Sequence, residues 1–297
     1  MGKTVLPFPD KQNAIYELVK VLGHGDTGTL YEVYHRRLRV LRTLEVVQGK
    51  DEHVLRRFAR GAAVAAQIEH PNLMRVYDYF EHKGYGYLIM ERVVGESLDD
   101  RMKRLGGGLP GDEALAVMRD ACRGLWQLHR VGAVHRGISP RALVLSLGPE
   151  NRGLIKLCGF GIVRAADGPV MQLGDEADRF TPEGVYIGVP GYAAPEQAAG
   201  QLVTPAADVF GLAAVTFEGL TGIPWREAEP QLRAGRASAI NLDGVRDLPD
   251  DVARLLGMCL AADANRRPED AMALEGELLR LETHIPEFIT APPLDQL

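Results

Sequence analysis

At 297 residues the chain is long enough for one bilobal domain or two small ones, and 46% hydrophobic with 25% charged residues is an ordinary globular composition. A formal net charge of −6 argues against nucleic acid or an anionic membrane as the main partner, and no run of about 18 apolar residues reads as a membrane span. The cysteines Cys122, Cys158 and Cys259 are widely spaced, fit neither a metal-ligand nor a disulfide pattern, and read as small buried hydrophobes. Met1 to Lys11 holds Pro7, Pro9 and Asp10 but no apolar core of a signal peptide, so a cytoplasmic protein is expected.

The first 95 residues are β-rich. Tyr16 to Leu22, Leu30 to His35 and Val40 to Val47 are short β-branched or aromatic stretches between turn-like segments. His53 to Ile68 follows, with Val54, Phe58, Ala62, Ala65 and Ala66 at helical spacing. Leu73 to Phe80 and Tyr85 to Glu91 then form a hairpin-like pair around Lys83-Gly84. After Val93-Val94-Gly95, the predicted connector, helical patterns dominate at Asp112 to Val131, Pro205 to Gly219, Leu248 to Ala261 and Pro268 to Leu281. Leu109-Pro110-Gly111-Asp112 and Arg267-Pro268-Glu269-Asp270 supply helix starts. The expectation is an α+β bilobal fold: an N-terminal tail over 1–13, a small β-rich lobe with one main helix over 14–93, a larger helical lobe over 94–282, and an irregular tail over 283–297.

Along this pattern runs an ordered set of landmarks. Leu22-Gly23-His24-Gly25-Asp26-Thr27-Gly28 sits at the first hairpin, and a lone glycine pattern of this kind is weak evidence. His70-Pro71-Asn72, Met90-Glu91, His135-Arg136-Gly137-Ile138-Ser139-Pro140, Gly159-Phe160-Gly161, Ala194-Pro195-Glu196, Ala207-Asp208-Val209 and a late Arg267 follow in order. The chain resembles the bacterial branch of the serine/threonine protein kinase family over about residues 14 to 282. The resemblance implies that Glu196 pairs with Arg267, that Asp208 bonds the catalytic-loop backbone, and that His135 and Phe160 belong to an apolar stack joining the lobes.

The positions to which that family assigns chemistry carry other residues. Glu45 stands at the strand lysine that contacts nucleotide phosphates; at about 4 Å a unit charge pair is worth roughly 1 kcal/mol in water and about 4 at an effective dielectric of 20, here with the sign reversed. Gly61, nine positions before His70, stands at the helix glutamate that pairs with that lysine. Gly137 replaces the aspartate that accepts the substrate proton, Ser139 the lysine that steadies the transferring phosphate, and Ala142 and Gly159 the two magnesium ligands. Val189 replaces a threonine before Ala194-Pro195-Glu196.

The resulting expectation is a catalytically inactive homologue that holds no magnesium and needs no cofactor. It would act as a protein-binding scaffold or allosteric module, docking an active kinase or another signalling protein, and would bind neither nucleic acid nor membrane. The alternative is a nucleotide or nucleoside sensor, or a residual atypical ATP-dependent transferase. A remnant pocket is predicted from Gly23, Gly25, Gly28, Leu30, Thr43, Met90, Glu91, Val93 and Val144; side chains filling that space is the competing reading. Thr181 and Tyr186 are candidate phosphate acceptors with Arg136 as their partner, and Trp225 is either core or an exposed anchor. Arg36, Arg37, Arg39 and Arg42 read as a solvated strand edge.

Overall fold

The computed structural model describes residue 12 and residues 14–49, 52–148, 153–160, 163–165, 188–232 and 249–284, which form two unequal lobes. In the small lobe β1 (Tyr16–His24), β2 (Thr29–His35), β3 (Val40–Gln48), α1 (Glu52–Ala65), β4 (Val76–His82) and β5 (Tyr85–Met90) follow one another. The strands make one antiparallel sheet in the order β1-β2-β3-β5-β4. Lys83 and Gly84 both take positive φ, 49° and 76°, the primed turn whose twist matches the flanking strands.

Strand periodicity divides the β3 side chains between the two faces of the sheet. Leu44 and Val46 pack with Tyr16, Tyr31, Val33, Tyr87 and Ile89 in a separate small core. Thr43 and Glu45 fall on the opposite face, toward the interlobe cleft. A strand carrying a carboxylate on its inner face therefore remains a strand, because its other face supplies the apolar area.

The large lobe contains β6 (Gly95–Ser97), α2 (Leu98–Leu105), α3 (Gly111–Arg130), β7 (Ala133–Val134), β8 (Leu143–Ser146), β9 (Ile155–Leu157) and β10 (Arg164–Ala165). Then come α4 (Pro195–Ala198), α5 (Ala206–Thr221), α6 (Trp225–Leu232), α7 (Asp250–Cys259), a 3-10 turn at Ala264–Arg266 and α8 (Ala271–His284). The helix α5 is buried on nearly every side and packs against α3, α7 and α8. Trp225 is core: it meets Phe210 and Phe217 edge-on at 6.0 and 5.4 Å. The lobes are stitched by backbone, with Met74 N donating to Leu157 O and Leu157 N to Asn72 O, while the Asn72 amide donates to Ile155 O at 2.9 Å.

Sequence periodicity located the long helices to within a few residues but not α2, α6 or the short strands β6 to β10. The signals of α2 are local: Ser97 caps it by accepting from Asp100 N, acids sit in its first turn and bases in its last, and Gly106 closes it at φ 89°.

Arg267 clamps the lower lobe. It donates to both Glu196 oxygens at 2.7 and 2.8 Å and to the carbonyls of Ala261, Ala206 and Ala262, and its guanidinium lies 5.0 Å from the Phe210 ring centre. The pair ties α4 to the segment after α7 and is almost wholly out of water. Arg267→Ala strands a buried carboxylate and should cost about 3–5 kcal/mol. Urea denaturation should show this as a fall in midpoint at unchanged slope; a loss under about 1 kcal/mol would mean that the pair does not hold the lobe together.

Candidate functional site

The site is built on one buried carboxylate. Asp208, on the first turn of α5, accepts from His135 N and Arg136 N at 2.7 Å each and from His129 Nε2 at 3.0 Å. Burial alone would raise the Asp208 carboxyl, but these donors hold it below the ordinary range. The bonds fix the loop after β7, where Arg136 sits at φ 62°, a left-handed conformation that a non-glycine residue adopts only under constraint. Burial lowers the pKa of His135 and favours its neutral ring, whose Nε2 donates to Cys158 O at 3.0 Å while Nδ1 accepts from Gly137 N. The ring also meets Phe160 edge-on at 5.8 Å. Asp208, His135 and Phe160 thus form one unit that places Gly137 and Ser139 at the cleft floor.

The cleft between the lobes has a volume of about 610 Å³. Its inner wall is apolar, made by Leu30, Met74, Met90, Val93, Ala142 and Val144, with Thr43 and Cys158 beside them. Gly23, Gly25, Asp26 and Thr27 roof it, and Glu45, Gly137, Gly159 and Val189 surround its deeper end. Most of the predicted pocket is therefore brought together, and side chains do not fill it. Gly28 and Glu91 do not line it. A Cβ at Gly28 would stand 2.3 Å from Val46 O, so that glycine serves the close passage of β2 over β3. The Glu91 carboxylate turns away to Arg75 N and Lys156 Nζ, both at 2.8 Å.

Two polar bridges, not foreseen from the sequence, leave the glycine-rich loop, one across the cleft and one to the small lobe's own sheet. Ser139 Oγ donates to Asp26 Oδ2 at 2.5 Å, and the Thr27 hydroxyl donates to Glu45 Oε1. Glu45 is 3% exposed; burial, with the Asp26 charge adding to it, pushes its carboxyl above the ordinary range despite the Thr27 bond. The acids at the outer mouth are paired: Asp99 with Lys103 at 2.6 Å and Arg141 at 3.2 Å, and Glu96 with Arg104 at 2.6 Å.

Gly61 requires a different account from a lost partner. A Cβ there would fall 1.8 Å from Phe160 O, so α1 lies against the backbone of that segment and only glycine allows the contact. Gly159 has φ 87°, where a side chain is strained although a Cβ would meet Ala142 and His135 only at ordinary contact distance. Thr181 and Tyr186 lie outside the described residues.

The protein kinase domain family matches residues 16–279. The chain belongs to the protein kinase family. It is 31% identical to the serine/threonine-protein kinase PknA of Corynebacterium glutamicum, across 95% of this chain and 60% of that protein. It is 32% identical to PknA of Mycobacterium tuberculosis, across 70% of this chain and 47% of that one. The crystal structure of the Mycobacterium tuberculosis PknI kinase domain, in a single-substitution form, superposes with a TM-score of 0.69 at 26% identity, covering 90% of this chain and 95% of that one. The chain spans between about a third and three fifths of the length of the curated relatives it matches. Among the described residues no helix is long and apolar enough to cross a membrane.

Membership in this kinase family corrects the reading of the chain as an inactive scaffold with no enzyme function and no cofactor. The matched family is one of enzymes, the relatives are named serine/threonine-protein kinases, and kinases of this family use ATP with magnesium. The sensor alternative is not favoured by these relatives either. That expectation weighed single side chains, whereas phosphoryl transfer rests largely on positioning within the cleft, and enzymes stripped of named catalytic groups keep residual rates.

Two substitutions test the geometry. Gly61→Glu should lower the melting temperature by several degrees, because its Cβ overlaps Phe160 O; an unchanged melting temperature would show that α1 is free to move outward. Glu45→Gln keeps the acceptor for Thr27 and removes the titration. In the parent chain the benefit of a neutral Glu45 is complete below about pH 4.5 and is lost as pH rises through its higher folded value. The variant should therefore match the parent in acid and exceed it in denaturation midpoint at neutral and higher pH; parallel pH curves would show that Glu45 titrates normally.

Proposed function

We propose that this chain acts as a serine/threonine protein kinase-family protein that receives ATP by its purine end in the interlobe cleft and works on hydroxyl groups of a protein. The observation that carries the reading is the cleft: about 610 Å³, apolar within and polar at the rim, set at the lobe junction beneath a glycine-rich loop. The names of the relatives support the protein hydroxyl as target.

The residues fit the two ends of such a ligand unequally. Leu30, Met90, Val93 and Val144 offer flat apolar contact to a heteroaromatic ring and shield it from water. Positions 142 and 159, where the family resemblance implies magnesium ligands, offer no side-chain oxygen, and the carboxylates nearest the deep end are already bonded to Thr27 and Ser139. The metal does not fit this arrangement, and no step is derived through it. No carboxylate stands at 137 to take a proton from the acceptor hydroxyl. A positioned general base contributes typically about 10²–10⁴-fold, so any transfer here is expected to be slow by at least that factor.

Calorimetric titration with ATP and with adenosine, together with transfer of γ-labelled phosphate to protein, tests the reading. Both ligands should bind, adenosine at least as tightly as ATP, and label should reach protein serine or threonine slowly. Silence from both ligands at millimolar concentration would overturn the cleft assignment. Binding with no label after prolonged incubation would overturn the transfer.

A further inference from the structure

We propose that the glycine-rich loop is latched shut by its own side chains, and that the latch must open before the cleft accepts a phosphate-bearing ligand. The loop folds on itself through Gly25 N to Gly28 O, above a β1–β2 ladder that ends at His24 and Thr29 with a register shift just before Gly23. Its tip presents two consecutive polar side chains, Asp26 and Thr27, and each engages a buried partner, Ser139 of the large lobe and Glu45 of the small lobe's own sheet.

The two partners differ in origin and agree in effect. Ser139 is 1% exposed and comes from the segment fixed by Asp208; its oxygen accepts from Ala142 N at 3.2 Å while its hydrogen goes to Asp26. The donor is therefore aimed before the loop arrives. Glu45 comes from β3 and accepts the Thr27 hydroxyl within the small lobe. The first bridge joins the lobes across 113 residues of sequence, whereas the second sets the tip against its own sheet.

Both partners stand where the family resemblance implies a lysine. A lysine at either place would leave a cation facing the space under the loop; serine and glutamate there bond the loop itself. The same space would have to take a phosphate chain, which would displace Thr27 from Glu45 and meet both the Asp26 and Glu45 carboxyl groups. Leu30, Met90, Val93 and Val144 line the same cleft but take part in neither bridge, so a ligand held by those residues alone leaves the latch closed. The latch is defined by the chain alone; its action as a gate rests on the reading of the cleft given above.

Amide hydrogen exchange of the segment 22–30 in the ligand-free protein reads the latch directly. Asp26→Ala, at an exposed position that disturbs no core, should speed exchange about tenfold, in proportion to the loss of one charge-assisted hydrogen bond. Ser139→Ala should do the same from the opposite side, and Asp26→Asn, which keeps an acceptor, should stay within about twofold of the parent. ATP should bind Asp26→Ala several-fold more tightly than the parent, with adenosine unchanged.

Exchange unaltered in both alanine variants would overturn the latch. An equal gain for ATP and adenosine would overturn the gate, and a gain for ATP in Asp26→Asn as large as in Asp26→Ala would overturn it and leave charge as the cause. Faster exchange in variants that bind neither ligand would support the latch and overturn the purine reading of the cleft.

Discussion

Everything in the cleft hangs from the carboxylate of Asp208. It lies on the first turn of α5, a helix buried along most of its length, and its two oxygens hold the backbone of His135 and Arg136 and the ring of His129. A fully desolvated carboxylate is costly unless each oxygen is satisfied, and here each accepts at least one short bond. That requirement forces Arg136 into a left-handed conformation and brings the following residues up to the cleft floor. Ser139 is positioned by this chain of constraints, and so is its bond to Asp26 on the other lobe. The bridge between the lobes therefore inherits its geometry from the centre of the large lobe.

Gly61 and Gly159 show a second constraint, one of backbone distance. The helix α1 and the segment at Phe160 are in backbone contact at Gly61, and His135 packs edge-on against Phe160. With the helix drawn in this far, a long acidic side chain at 61 has no room. Glu45 is left to the Thr27 hydroxyl, and burial keeps its charge low. Position 61 thus serves a close backbone contact with Phe160, and position 45 a hydrogen bond to the glycine-rich loop.

The fold was legible because its determinants are periodic or local. Alternation in β2 and β3, the long apolar repeats of α3 and α5, and the order of landmarks from Gly23 to Arg267 each restrict the topology without knowledge of distant contacts. The Glu196–Arg267 clamp was legible for the same reason, since family resemblance names both partners. The pairings of the site were not. The pairing of Asp26 was not legible, because nothing in the sequence shows that a serine 113 residues away would lie beneath it. Gly61 read as a missing partner, because a backbone approach leaves no trace in residue type beyond the glycine. Glu91 read as pocket edge, although its side chain turns away from the cleft to the buried Lys156.

This difference bears on how the activity of the chain is judged. Counting side chains against a family pattern treats each position as independent, and on that count the cleft has only losses. The structure couples the positions: 26 with 139, 27 with 45, 61 with 160. Coupled positions are not additive, so the effect of any one of them on ligand binding or on rate is defined only with its partner in place. Restoring a lysine at 45 alone would leave Thr27 without its acceptor and Gly61 without a carboxylate to offer. A cleft altered in linked pairs has to be judged by the ligand it admits and the loop state it keeps, and both depend on bonds that no single position reveals.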